Sequence, residues 1–138
     1  MLYLDTSAFL KLLVEEEHST ELRDALEGAT LWSSSLLDVE AHRAAQRLGI
    51  SANVVADHLD AVTLVELAPQ TLVRARDVGL ESLRTLDALH LAAALELVPD
   101  LEAVVTYDRR LAAGCEAEGC AVRAPGRPAD WWRSDPDV

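Results

Sequence analysis

Met1-Leu2-Tyr3-Leu4-Asp5-Thr6-Ser7-Ala8 begins with an apolar run closed by a single acid, and Ala103-Val104-Val105-Thr106-Tyr107-Asp108 repeats that pattern far downstream. Short apolar runs that end abruptly in polar residues read as buried strands. Working outward, further strand-like runs are expected at Thr30–Ser33, Leu64–Leu67 and Ala121–Arg123, beside Leu2–Leu4 and Ala103–Tyr107. Helical periodicity fills the gaps, over roughly residues 7–16, 18–28, 35–48, 51–62, 70–80, 85–98 and 109–118. Gly28, Gly49, Gly79 and Gly119 stand where those helices should stop. Alternating strands and helices predict an α/β fold in three layers, α/β/α, around a mostly parallel sheet of four or five strands.

The chain of 138 residues, half of them hydrophobic, is long enough for one domain with a real core. Residues 1–124 are assigned to that domain, and 125–138 to an irregular, turn-rich tail carrying Trp131 and Trp132, which cap an apolar edge or contact a partner. Asp5 interrupts the opening apolar run, so no signal peptide is expected. The longest apolar stretch, Ala88–Val98, includes His90 and Glu96. It falls short of the roughly 20 residues that span a bilayer, so no membrane association and a cytoplasmic location are expected. Cys115 and Cys120 do not form a disulfide framework and are read as free, core or helix-end residues.

Twelve basic residues against 24 acidic ones leave a net charge of −12. That balance argues against a protein that coats nucleic acid by charge alone; a polyanionic substrate would need a local basic patch and metal. Of the basic residues 11 are Arg, the exception being Lys11.

In an open parallel sheet, ligands bind beyond the carboxyl ends of the strands. Asp5 and Asp108 sit at two such ends, and Glu40 and Asp87 lie near the starts of two helical patterns. Each has an ordinary reading beside the functional one. Asp5 or Ser7, with Ser7 favoured, caps the helix starting at Ala8, and Asp108 caps the helix after it. Asp87 complements the dipole of a helix that is apolar nearly all round and therefore buried. Arg43 and Arg47 follow Glu40 on its own helical side, where they steer phosphate or pair with Glu40. His90 is read first as a core histidine, with orienting Asp87 or supporting a water as the second reading. Arg109 and Arg110 are placed at the mouth of the site as phosphate contacts. Together the four carboxylates make a set of hard oxygen ligands suited to a divalent metal.

With Leu4-Asp5-Thr6-Ser7-Ala8, Glu40 in its helix, Leu86-Asp87-Ala88-Leu89-His90-Leu91-Ala92-Ala93-Ala94 and Val104-Val105-Thr106-Tyr107-Asp108 assembled, the chain resembles the PIN-domain ribonucleases, specifically VapC-type toxins of type II toxin–antitoxin pairs. The resemblance runs from about Met1 to Arg123. It implies an endoribonuclease in which Asp5, Glu40, Asp87 and Asp108 are catalytic and hold Mg²⁺ or Mn²⁺, directly or through water. Thr6, Ser7 and Thr106 become accessory hydroxyls, and Arg43, Arg47, Arg109 and Arg110 candidate RNA contacts. It also implies a homodimer and a VapB-like antitoxin that covers the site. The −12 balance departs from a basic RNA-binding surface and counts against loose RNA affinity rather than catalysis.

Rivals fail on sites rather than on fold. A phosphoaspartyl hydrolase calls for Asp-x-Asp after the first strand, where Ser7 stands; a phosphoacceptor receiver calls for a late strand-end Lys, and Lys11 is the chain's one lysine. A dinucleotide binder needs a Gly-rich first turn, which Asp5-Thr6-Ser7-Ala8-Phe9 lacks. A catalytically silent PIN module and a housekeeping RNA-processing nuclease stay open.

Overall fold

A computed structural model of the chain describes residues 1–133. Five strands, β1 (Leu2–Leu4), β2 (Leu31–Ser34), β3 (Val62–Val65), β4 (Ala103–Val105) and β5 (Val122–Arg123), form one sheet in the order β3-β2-β1-β4-β5. Every ladder is parallel, with Leu2 opposite both Leu31 and Ala103. The connections are α1 (Thr6–Leu13) and α2 (Ser19–Leu26), then α3 (Leu36–Leu48) and α4 (Ala52–Leu59), then α5 (Pro69–Ala75) and α6 (Thr85–Leu95), and last α7 (Arg109–Ala117).

Strand side chains alternate between faces, and the two cores follow that alternation. Leu2, Leu4, Ala103 and Val105 pack with Phe9, Leu22, Leu37, Ala41 and Val55 of α1–α4. Tyr3 and Val104 pack on the opposite face with Leu91, Leu111 and Cys115 of α6 and α7. The α6 contribution is mostly small: Ala88, Ala92, Ala93 and Ala94 are all buried, as the all-round apolar pattern predicts. The strand order reverses between β1 and β4, where the Asp5 N–H donates to the Val105 carbonyl at 3.3 Å. This is the switch point at which such folds open a crevice.

Several boundaries differ from expectation, each for a local reason. α1 stops at Leu13, with Val14 extended, because Glu15-Glu16-Glu17 would set three negative charges against the negative helix end. β3 begins at Val62 rather than Leu64, since Val62 and Thr63 prefer the ladder beside Leu31 and Trp32 to another helical turn. α6 ends at Leu95, short of Val98, whose position before Pro99 disfavours helix. β4 gives way at Thr106, and Gly49 closes α3 in the left-handed conformation. Tail residues up to Arg133 lie against α7: Trp131 is buried, and Trp132 and Arg133 bond Glu116. Residues 134–138 of the assigned tail lie outside the described residues.

Candidate active site

The end of β1 delivers Asp5 into a nearly closed setting, 3% exposed. Asp5, and not Ser7, caps α1: the Ala8 N–H donates to its Oδ1 at 2.9 Å. Ser7 instead supports the carboxylate, its hydroxyl lying 2.7 and 2.9 Å from the two oxygens while accepting the Tyr107 N–H. Thr106, across the seam just past the end of β4, donates to Oδ2 at 2.6 Å and accepts the Asp108 N–H at 3.0 Å. Burial pushes the Asp5 carboxyl up from the ordinary Asp range, and the bonds from Thr106, Ala8 and Ser7, with the His90 charge, pull it part of the way back.

Glu40, on α3, faces this group from across β2. Its Oε1 takes the Thr6 hydroxyl at 3.0 Å and His90 Nε2 at 2.7 Å. His90 is buried and its Nδ1 lies 2.8 Å from the Tyr3 hydroxyl, whose own ionisation is suppressed by burial. An ionised carboxylate only accepts, so the bond to Glu40 places an N–H on Nε2. Burial alone would raise the Glu40 carboxyl; the His90 bond and charge and the Thr6 bond outweigh it and hold Glu40 below the usual range. His90 is thus a core histidine that also orients an acid of the site, and that acid is Glu40 rather than Asp87.

Asp87 opens the first turn of α6, and Asp108 caps α7 through the Leu111 N–H at 2.9 Å. Burial first, and then the Asp108 charge, push Asp87 above the ordinary range; Asp5 adds to this, while Arg84 and His90 oppose it. Asp5, Asp87 and Asp108 thus share one electrostatic neighbourhood around the switch point. Asp87 and Asp108 share a cationic neighbour in Arg84, a residue the spacing did not single out, whose Nε stands 3.6 Å from Asp87 and Nη2 3.5 Å from Asp108.

The remaining arginines divide. Arg43 and Arg47 are exposed and line a groove of about 380 Å³ that runs from Thr6 and Glu40 along α3 to Leu86. Neither pairs with an acid among the described ion pairs; Glu40 pairs with His90 instead. Arg109 turns to the tail, donating to the Trp131 carbonyl at 2.9 Å and lying over its ring, while Arg110 is exposed.

The donors suit a hard divalent cation in kind: all four are carboxylates, with hydroxyls interleaved. Asp5 retains acceptor capacity, since a carboxylate offers about four lone-pair sites and three groups donate to it. Glu40 spends both of its described bonds on Oε1. Burial first, and then the Asp108 charge, disfavour the ionised Asp87, a penalty that a cation relieves. Among the described residues no three acid, His or Cys side chains converge closely enough to enclose an ion. Glu40 is drawn toward His90, and Arg84 lies beside Asp87 and Asp108.

Comparison with known proteins speaks to the family and the fold. A family model described as PIN domain matches residues 2–116. Ribonuclease VapC47 of Mycobacterium tuberculosis (strain CDC 1551 / Oshkosh) is 38% identical over 133 residues, covering 91% of this chain and 98% of the relative. Ribonuclease VapC46 of strain ATCC 25618 / H37Rv is 39% identical over 129 residues, covering 90% and 97%. A solved structure described as a toxin–antitoxin complex from Klebsiella pneumoniae superposes with a TM-score of 0.69 over 91% of this chain and 98% of that one. At 18% identity, that likeness speaks for the fold.

Proposed function

The chain belongs to the PIN-domain family, and from that premise we propose that it is a metal-dependent endoribonuclease, the toxin of a toxin–antitoxin pair. The observation that carries the reading is the electrostatic coupling of Asp87 with Asp108 and Asp5 beside the β1/β4 switch point, added to the burial that raises Asp87. Relatives named as VapC ribonucleases across nearly their whole length support it.

Asp5, Glu40, Asp87 and Asp108 are the residues that would hold Mg²⁺ or Mn²⁺. Such an ion supplies positive charge to the phosphoryl oxygens and lowers the pKa of water, so that hydrolysis needs no side-chain nucleophile. The chain's own work is placement. Thr106, Ser7 and the Ala8 N–H fix both oxygens of Asp5. Thr6 and His90 fix one oxygen of Glu40 and leave the other to accept a proton or a ligand. Arg43 and Arg47 contact the RNA backbone along the α3 groove, while the net charge of −12 keeps unselective RNA binding weak. The protein acts in the cytoplasm as a homodimer, silenced by a cognate VapB-like antitoxin. No helix among the described residues is long and apolar enough to cross a membrane.

Purified wild type and Asp87→Asn, assayed side by side on structured and total RNA with Mn²⁺ or Mg²⁺, test the reading. Metal-dependent cutting by wild type alone supports it. Equal cutting by both removes Asp87 from the site, and an inactive wild type that also fails to bind metal returns the chain to a silent module.

A further inference from the structure

Arg84 is an odd choice for its place. It is the residue that precedes α6, yet its side chain caps nothing, and a cation at the positive end of a helix is disfavoured by the dipole. Stability does not explain it either: its side chain is 64% exposed, and exposed ion pairs contribute little. What it does is reach back over two acids of the site, within 3.6 Å of both Asp87 and Asp108. With Glu40, Thr85, Leu86 and Asp87 it also lines an opening of about 360 Å³.

We propose that Arg84 is a phosphate-binding catalytic residue. In the free protein its guanidinium neutralises Asp87 and Asp108; displaced from them, it turns outward onto the scissile phosphodiester. The inference rests on the nuclease reading above and adds to it the group that meets the substrate. Two positive charges cannot share the space between these carboxylates at low cost, so occupancy by a divalent cation and occupancy by Arg84 compete. The side chain is mostly exposed and borders the opening, so it can swing once displaced. The next anion in reach is the RNA backbone, for which a planar guanidinium offers paired donors that a lysine does not. Held there, it stabilises the charge that develops on the phosphoryl oxygens.

The test uses two readouts that move in opposite directions. Wild type, Arg84→Gln and Arg84→Lys are titrated with Mn²⁺ by calorimetry, and their single-turnover RNA cleavage is measured at saturating Mn²⁺. Arg84→Gln should bind Mn²⁺ roughly two- to five-fold more tightly, the effect of one exposed ion pair. It should cleave on the order of 10²-fold more slowly, the cost of one lost donor, with Arg84→Lys between the two. Unchanged or weaker Mn²⁺ affinity, or cleavage at the wild-type rate, overturns the proposal while leaving the nuclease reading intact. A wild type that neither binds Mn²⁺ nor cuts RNA removes both.

Discussion

Two carboxylates of one site, both pushed up by burial, are compensated in different ways. At the inner seam between β1 and β4, Asp5 is enclosed and wired, with donors from α1 and from Thr106 on both oxygens. At the outer lip, Asp87 is half-buried beside a second acid, with one exposed arginine at salt-bridge distance for both. The inner acid is held by hydrogen bonds that the fold supplies for itself, so its geometry exists before any ligand arrives. The outer pair is left with a deficit of positive charge. Position is provided at the seam, and demand for a cation at the lip.

The largest effect should not distinguish the two. Asp5→Asn and Asp87→Asn should each lower Mn²⁺-dependent RNA cleavage by on the order of 10³-fold or more. A variant that cuts at the wild-type rate, with its circular dichroism unchanged, does not belong to the site. Next comes the cation itself. Saturating Mn²⁺ should stabilise the wild type against heat by mass action, about 2.7 kcal/mol at a hundred times its dissociation constant, and the increment should be much smaller for Asp87→Asn. Equal increments would mean that the lip does not carry the demand.

Metal-free melting separates the regions. Asp5→Asn also removes a buried charge, but it turns an amide donor toward Ser7 and Thr106, a mismatch that costs about 1–3 kcal/mol, so its Tm should rise less than that of Asp87→Asn or fall. Asp87→Asn should melt a few degrees higher than wild type, a gain on the order of 1 kcal/mol. The sign follows from a folded pKa that lies above the unfolded one. Stability linked to Asp87 is fully present below the unfolded pKa and is lost as pH rises through the folded pKa. The advantage of the neutral amide is therefore present at neutral pH and disappears on acidification below the ordinary Asp range. Two variants that melt alike would erase the distinction. The smallest effect is expected at Arg43→Ala: weaker RNA binding, with the salt slope reduced by about one. Unchanged affinity and slope would take the α3 groove out of the RNA path.

The parts of this site that were legible are those with a local signature. Asp5, Asp87 and Asp108 each follow or begin an apolar run, so their neighbours in sequence announce a strand end or a helix start. The sheet was legible for the same reason, and what slipped was where neighbouring patterns merge, as at Val62 and at Glu15. The supports Thr6, Thr106 and His90 were legible as residues, but their partners were not, because these lie far away in the chain. Tyr3 meets His90 across 87 positions and Thr106 meets Asp5 across 101. Arg109 reads in the sequence as a phosphate contact at the mouth of the site, and its partner Trp131 lies 22 positions on. Arg84 had a signal that went unread: a cation where the helix dipole asks for an acid.

The alanines of α6 have a consequence for how such a chain can drift. Ala88, Ala92, Ala93 and Ala94 let the helix lie close to its neighbours, and the same helix carries Asp87 and His90. A larger apolar residue at Ala92 or Ala93 keeps the polarity of the position and forces the helix to shift, at about 1–3 kcal/mol. A displacement of about 1 Å at a reacting centre can cost a hundred-fold in rate. Selection at these positions therefore acts on volume through aim: variants that still fold and express would be lost because two side chains no longer point where they must.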